Sequence, residues 1–270
     1  MVELIAIIKE QYKHSTQIFK LAIYNIKSEY ANHYLGIFWN VLQPLLQLIV
    51  YYLVFGLGLR SGDDELVNGI PFIIHLITGL FPWLFISQGI NSGASAITKN
   101  ISLLSKMTFP SSVFLSITLT NNVINLFITT SIIFLISLFN LSIPMWQYLY
   151  FFYFLFSAIV LVYSISLITS TMVVLIKDIK NLLQNIIRML FFMTPIFWAV
   201  EESNEILKTL VKLNPFSYLI EIYRLSFVQV YSTSYLTWSD HLYFWALTIT
   251  LLLIGSIIHH YFQGKLLDYL

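Results

Sequence analysis

The chain has 270 residues, 58% of them apolar and 10% charged, against roughly 25% charged and 45–50% apolar in soluble domains. So few charges cannot cover a water-soluble surface, and a formal net charge of +1 gives no sign of a nucleic-acid partner. With no cysteine in the chain, a disulfide framework and a thiolate metal site are both excluded.

The charges are clustered and leave uncharged runs at Tyr30–Leu59, Leu66–Thr98, Met107–Ile176 and His241–Gly264. Each run exceeds the roughly 20 residues a helix needs to cross a bilayer. The predicted fold class is therefore an all-α integral membrane protein with six transmembrane helices.

In chain order, Leu4, Ile8, Tyr12, Phe19, Ala22, Ile23 and Ile26 recur at helical spacing with Lys9, Lys13, His14, Gln17 and Lys20 between them. This predicts an N-terminal amphipathic helix lying in the membrane interface. No cleavable signal pattern accompanies it, so insertion is expected to rely on the first span.

The first span is predicted at Leu35–Leu59, closed by the polar turn Arg60-Ser61-Gly62-Asp63-Asp64-Glu65. The second is predicted at Phe72–Ala94, with a kink at Pro82. The stretch from Ile97 to Pro110 is too polar to cross, and Ile97, Ile101 and Leu104 share one helical face, which predicts a short helix outside the membrane. A break at Asn140-Leu141-Ser142-Ile143-Pro144 divides the longest uncharged run into span three, Ser112–Phe139, and span four, Gln147–Ile176. Lys177-Asp178-Ile179-Lys180 forms a tight turn before span five, Leu182–Val200, which holds Arg188 and Pro195. Span six is predicted at Leu242–Phe262.

Between spans five and six, Leu207–Tyr231 is moderately apolar but holds Lys208, Lys212, Pro215, Glu221 and Arg224. A crossing with a Glu and an Arg near its middle is expensive, so short re-entrant helices that dip in without crossing are predicted here. In this arrangement Lys9, Lys13, Lys20, Lys27, Lys99, Lys106, Lys177, Lys180, Arg188 and Lys265 fall on one side, ten of the 14 Lys and Arg. The positive-inside rule then puts both termini in the cytoplasm.

No segment matches G-x-x-x-x-G-K-[ST], and the only Gly-Lys pair, Gly264-Lys265, has no Gly-rich loop, so the chain is not expected to hydrolyse ATP itself. No carboxylate lies in the middle of a predicted span, where ion-coupled carriers place such groups. His75 is read as a packed or outer-interface residue. His259-His260 has no third ligand nearby and is read as an interfacial anchor rather than a metal pair. Neither a metal nor a cofactor bound by this chain is expected.

In span one, Tyr34, Phe38, Tyr52 and Phe55 fall within about a third of the helical circumference. Such a stripe suits a sugar-conducting channel, because ring faces stack on the C–H-rich faces of sugars, and it equally suits lipid-facing packing. Arg188 either snorkels to the interface or holds a phosphate headgroup in its guanidinium fork. A membrane-embedded transferase acting on lipid-linked sugars would instead need a catalytic loop of clustered Asp, Glu or His. The only acidic cluster, Asp63-Asp64-Glu65, has no histidine partner.

The segment Tyr34-Leu35-Gly36-Ile37-Phe38-Trp39-Asn40-Val41-Leu42-Gln43-Pro44 resembles the start of the membrane domain in type-2 ABC (ABC-2) polysaccharide exporters. Val54-Phe55-Gly56-Leu57-Gly58-Leu59-Arg60, Gly69-Ile70-Pro71-Phe72, Ser105-Lys106-Met107-Thr108-Phe109-Pro110, Asn214-Pro215 with Glu221 and Tyr223-Arg224, and the closing Asp268-Tyr269-Leu270 resemble the wall teichoic acid permeases within that family. The YLG-x-x-W and K-M-x-F-P patterns are shared with O-antigen permeases, whereas V-F-G-L-G-x-R tilts the resemblance to teichoic acid.

The resemblance implies the permease subunit of a wall teichoic acid exporter in the plasma membrane of a Gram-positive bacterium, with an O-antigen or capsular polysaccharide exporter as the alternative. It implies a homodimer paired with two copies of a separate ABC ATPase subunit, which would carry ATP and Mg, and a polymer linked to undecaprenyl pyrophosphate. Residues 1–33 would then be an amphipathic gate helix and its lead-in, and residues 34–270 the ABC-2 transmembrane domain. Ile97, Lys99, Ile101, Leu104, Lys106 and Phe109 would belong to the coupling helix seated in the ATPase. Tyr34, Phe38, Tyr52 and Phe55 would line the substrate channel, and Lys20, Lys27 and Arg188 would receive the pyrophosphate on its way in.

Overall fold

The structure is a computed structural model that describes every residue except Met1, Asn32, 59–65, Asn68, 105–108, 141–142, 201–202, 229–235 and 266–270, and every side chain among those except Tyr30, Phe139 and Asn140. The polar turn predicted at Arg60–Glu65, Lys106 and the closing Asp268-Tyr269-Leu270 lie outside the described residues.

The described chain is helical almost throughout. In order come α1 (Val2–Lys13), α2 (Ser15–Tyr30), α3 (Trp39–Tyr51), a two-residue strand pair β1 (Leu66–Val67) and β2 (Ile70–Pro71), α4 (Phe72–Ala94), α5 (Ala96–Lys99) and α6 (Ile101–Leu104). They are followed by α7 (Ser111–Asn140), α8 (Leu149–Leu175), α9 (Ile179–Met193), α10 (Glu205–Leu213), α11 (Pro215–Phe227) and α12 (Trp238–Gln263). β1 and β2 pair antiparallel, Leu66 opposite Pro71 and Val67 opposite Ile70, and the turn between them uses Gly69 at φ 78°.

Among the described residues, five helical stretches are long and apolar enough to cross a membrane: Gly36–Gly58, Phe72–Ala94, Ser111–Leu138, Met145–Leu175 and Trp238–Gln263. They match predicted spans one to four and six. Predicted span five is shorter than expected. α9 has 15 residues, about 22 Å at 1.5 Å per residue, and stops where Thr194 turns extended, φ −86° and ψ 138°. Pro195 forces that conformation on the residue before it. α4 runs unbroken through Pro82.

α4 is the hub and packs against α7, α8, α9 and α11. Its near-continuous apolar sequence suits a helix surrounded by protein on all sides, and it is the most enclosed of the five, with 78% of its most apolar window buried against 11% for Gly36–Gly58. Close approach to α8 depends on Gly89 and Gly93, one helical turn apart. A Cβ at Gly89 would stand 2.8 Å from Val162 Cγ1, and one at Gly93 would stand 2.7 Å from Ser166 Cβ. On the other side of α8, a Cβ at Gly255 of α12 would stand 3.1 Å from the Ser164 carbonyl. Small residues at such crossings let helix backbones pack closely inside a membrane.

The two ends of the bundle differ. At the basal end, Ile7, Ile18 and Ala22 of α1 and α2 join Ala96, Ile97, Val113, Leu167 and Val174 in one apolar cluster. Instead of the single predicted N-terminal helix there are two, meeting at His14 (φ −104°, ψ 13°). α1 turns Glu10 and Gln11 toward α7. Ser112 Oγ donates to Glu10 Oε2 at 2.5 Å, and Gln11 Nε2 donates to Ser112 Oγ at 3.0 Å. The outward face of α1 and α2 carries Ile5, Ile8, Tyr12 and Phe19 beside Lys9, Lys13, Lys20 and Lys27. An exposed face that mixes apolar and basic residues suits a lipid–water boundary. The helix predicted from Ile97 to Phe109 is likewise two four-residue pieces, α5 and α6.

The opposite end, called here the hairpin end, holds α10 and α11 as the predicted re-entrant pair. Asn214 sits at the junction and its side chain accepts from Phe216 N, while Pro215 opens α11 where its missing N–H costs nothing. Phe216 packs on Trp83 with centroids 5.9 Å apart, 11 residues or about 16 Å along α4 from its start. Phe227, at the other end of α11, packs on Tyr148 at 5.9 Å, beside the start of α8. α11 therefore begins deep in the bundle and runs back to the hairpin end, so the pair enters and returns on the same side.

Candidate functional site: a polar cleft beside span one

Two adjoining cavities run along one side of α4. The first has a volume of about 630 Å³ and is walled by α2, α3, α4, α7 and the start of α9. The second, about 500 Å³, lies between α3 and α9 over α4, and the two share Leu84, Asn91 and Gln184. On α4 and α5 the first cavity reaches from Phe81 to Lys99, about 27 Å along the helix axis.

The lining changes along that length. Near the basal end lie Lys99, Asn100 and Lys180. Above them the wall is built of amides and hydroxyls: Asn40 and Gln43 from α3, Gln88, Asn91 and Ser92 from α4, Thr118, Asn121, Asn122 and Asn125 from α7, and Gln184 from α9, with Asn25 and Glu29 from the end of α2. In the second cavity Gln47, Ser87 and Arg188 meet Tyr51, Trp83 and Phe191.

Some of these amides tie the walls together. Asn40 Nδ2 donates to Asn125 Oδ1 at 2.8 Å, linking α3 to α7. Asn122 Nδ2 donates to Ser92 Oγ at 2.9 Å and to the Thr118 carbonyl at 3.0 Å, linking α7 to α4. Asn91 Nδ2 donates to the Ser87 carbonyl at 2.8 Å, which fixes the orientation of its amide. The side-chain carbonyls of Asn91 and Asn121 are buried and accept no hydrogen bond from a described residue. Buried polar atoms are normally paired, and these two are exceptions in the cleft wall.

The cleft ends in an aromatic cluster toward the hairpin end. Phe55 stacks on Phe197 at 4.3 Å. Tyr51 packs on Phe197 at 5.2 Å and on Phe191 at 5.6 Å, and Trp83 meets Phe191 at 5.6 Å. Of the four aromatic residues predicted to line a channel, Phe55 belongs to this cluster. Tyr52 instead stacks on Phe72 at 6.3 Å, and Tyr34 and Phe38 are exposed around the short helical turn Gly36–Phe38. The stripe disperses because the segment is not one α-helix: Gly36–Phe38 is a 3-10 turn and Tyr52–Gly58 is π-helical, so residues leave the 3.6 period at both ends. Of the three cations assigned to pyrophosphate, Arg188 lines the second cavity, whereas Lys20 and Lys27 are exposed outside both.

The coupling residues separate too. Lys99 lines the first cavity, and Ile97 is fully buried. Leu104 and Phe109 pack against the basal cluster, the Phe109 ring lying 5.0 Å from His14. Ile101 is half-buried. Leu103, absent from the predicted set, is the large apolar residue of this segment left 43% exposed.

Two polar centres lie in the interior. Arg224 Nη1 donates to Glu221 Oε1 at 3.0 Å, and Nη2 donates to the Pro195 carbonyl at 2.6 Å and to His75 Nε2 at 3.0 Å. Because arginine only donates, His75 Nε2 must be the acceptor. This group pins α11 to α4 and to the end of α9. His259, predicted as an interfacial anchor, is fully buried between Ser111 Oγ at 2.9 Å and Thr171 Oγ1 at 3.0 Å, holding α12 against α7 and α8. Among the described residues, no group of His, Cys, Asp or Glu could hold a metal ion.

Five helices long and apolar enough to cross a membrane, three of which wall a polar cleft, define a multi-pass membrane protein. The profile of the ABC-2 type transporter family matches residues 16–228, and the chain belongs to that family. It is 24% identical over 233 residues to the O-antigen export system permease protein RfbA of Myxococcus xanthus, covering 84% of this chain and 85% of the relative. It is 26% identical over 212 residues to a protein of the same name from Klebsiella pneumoniae, covering 74% and 75% of the two chains.

Proposed function

We propose that the chain is the membrane subunit of an ATP-driven exporter that moves a surface polysaccharide linked to a polyprenyl diphosphate across the cytoplasmic membrane. The observation that carries this reading is the cleft: an amide-rich wall fits a chain of sugar hydroxyls, the aromatic cluster fits sugar rings, and the basal lysines fit a diphosphate. Energy comes from two copies of a separate ABC ATPase docked at the basal end, which faces the cytoplasm. The names of the relatives favour a glycan of the O-antigen kind. A wall teichoic acid polymer is the second reading, favoured by the run Val54 to Arg60.

Exposed apolar faces support a homodimer. The first span is the least enclosed, with Ile49, Val50, Leu53 and Leu57 exposed on α3 and its π-helical continuation, and α9 exposes Leu182, Ile186, Met189 and Phe192. Two copies apposed across α3 and α9 would join two half-clefts into one conduit.

Co-purification with a partner ABC ATPase, followed by ATP hydrolysis in proteoliposomes, tests the reading. Stimulation by a neutral lipid-linked glycan is expected, and stimulation by a polyol-phosphate polymer alone would move the assignment to teichoic acid. If neither polymer stimulates the complex, the permease reading fails. Leu103→Asp is expected to weaken capture of the ATPase by about tenfold, as loss of an exposed apolar anchor does. Unchanged capture would place the docking surface elsewhere.

A further inference from the structure

We infer that an aromatic cavity between α8 and α12 at the hairpin end binds one amine-headed phospholipid from the leaflet at that end. The cavity has a volume of about 660 Å³ and is lined by Trp146, Tyr150 and Tyr153 at the start of α8 and by Trp238, His241 and Trp245 at the start of α12. It shares no lining residue with the cleft, so its occupant does not depend on what is transported.

Depth points to a lipid. α8 has 27 residues and α12 has 26, about 40 Å each, against a hydrocarbon core of about 30 Å. Helices of this length, centred in the bilayer, project about 5 Å, or three residues, into the headgroup layer at each end. Trp146, Tyr150 and Trp238 therefore stand at headgroup level, whereas Tyr153, His241 and Trp245 stand at the edge of the hydrocarbon, where the ester groups of a phospholipid lie. Deeper still, Phe156 meets Trp245 with centroids 5.7 Å apart, and Phe156 and Ile249 are exposed, continuing an apolar track for an acyl chain.

Hydrogen bonding sets the polarity of the site. Trp245 Nε1 donates to Tyr153 Oη at 2.9 Å, Tyr153 Oη and Tyr218 Oη lie 2.7 Å apart, and Tyr218 Oη lies 2.6 Å from His241 Nδ1. An indole only donates. The one direction in which each hydroxyl accepts one hydrogen bond and donates one runs from Trp245 to Tyr153 to Tyr218 to His241 Nδ1, which leaves the imidazole hydrogen on Nε2. His241 is half-buried, and its Nε2 is not among the buried unpaired atoms, so this N–H is open to a lipid phosphate or ester oxygen. The described residues lining the cavity include no lysine, arginine or carboxylate, so a net-anionic headgroup finds no counter-charge there. Trp146 and Trp238 are instead open rings, 62% and 85% exposed, and indole faces attract an ammonium group. A zwitterionic lipid of the phosphatidylethanolamine type meets both demands, with its ammonium on the indoles and a phosphate or ester oxygen on His241. Because the same chain of hydrogen bonds reaches Tyr218 of α11, the lipid sits on the joint that ties the re-entrant pair to α8 and α12.

The test titrates the purified full chain in detergent with phosphatidylethanolamine or phosphatidylglycerol and counts retained lipid by native mass spectrometry. One phosphatidylethanolamine per chain is expected to bind at a concentration about tenfold below that needed for phosphatidylglycerol. Trp146→Ala/Trp238→Ala, which removes two exposed rings that the folded core does not need, should raise the half-saturating concentration of phosphatidylethanolamine by about tenfold and leave phosphatidylglycerol unchanged. His241→Leu should weaken both lipids by about fivefold through loss of the N–H donor. Monodisperse elution of each variant confirms that it folds. Equal binding of the two lipids by the parent, or no shift in the double tryptophan variant, would overturn the inference. Uptake of neither lipid would overturn it as well and assign the cavity to a protein neighbour. Neither polymer nor ATPase enters the measurement, so its failure leaves the transport reading untouched.

Discussion

Replacing Arg224 by methionine is expected to lower the stability of the folded chain by about 3–5 kcal/mol, because Glu221 then keeps its charge in an interior that no longer compensates it. Both side chains are almost completely buried, at 0% and 5% exposure, so solvent cannot take over the lost pairing. The pair also closes a structural loop, since Arg224 reaches His75 on α4 and the Pro195 carbonyl after α9. The unfolding midpoint in detergent measures the loss. Glu221→Leu combined with Arg224→Met should recover most of it, because replacing both members of a buried pair by apolar groups is often neutral. A single variant as stable as the parent would mean that the charges contribute nothing to holding the re-entrant pair.

Gly93→Val is expected to have the next largest effect. A Cβ at that position already stands 2.7 Å from Ser166 Cβ, a distance that side-chain rotation cannot relieve, so α4 and α8 must part. Overpacking of this kind costs about 1–3 kcal/mol, and here it displaces the helix that floors the cleft. Ser166→Gly should partly restore a Gly93→Val protein, as measured by yield of folded monodisperse protein and by its unfolding midpoint. Failure of that rescue would show that the cost arises elsewhere on α4.

The spans were legible because hydropathy reports burial in lipid directly. Four of the five agree with the sequence reading at both ends to within a few residues, since Lys-rich or Pro-containing breaks separate them. α9 was overestimated because its apolar run continues past Thr194, while the helix ends at the conformational restriction that Pro195 imposes. The re-entrant pair was legible from the cost of Glu221 and Arg224, but their burial was not. A charged pair three residues apart on a short helix reads the same whether it faces water or a neighbouring helix, and His75, which completes the group, is 149 residues away from Arg224.

The cleft was the part least visible. Attention to charges and aromatics favoured Lys20, Lys27, Tyr34 and Phe38, whereas the wall is made of uncharged amides. A signal was present. Gln88, Asn91 and Ser92 in α4 with Ser95 at its C-cap, and Thr118, Asn121, Asn122, Asn125 and Thr129 in α7, recur at spacings of three and four within uncharged runs, which places each set on one helical face. Polar stripes on two separate spans point to a shared polar surface, because unpaired amides facing lipid are costly. The aromatic stripe is dispersed for the opposite reason: its spacing assumed one α-helix, whereas Gly36–Phe38 is a 3-10 turn and Tyr52–Gly58 is π-helical.

The central claim is that the amide-lined cleft is the path taken by the transported polymer, and single-cysteine blocking tests it most directly. The chain contains no cysteine, so Asn91→Cys and Asn121→Cys each introduce a unique thiol in the cleft, and Ile254→Cys introduces one on the exposed side of α12. Treatment of the reconstituted exporter with a bulky maleimide is expected to stop polymer export in both cleft variants, to be slowed by lipid-linked glycan added beforehand, and to leave export by the Ile254→Cys protein intact. Full export after complete modification at Asn91 and Asn121 positions would contradict the account.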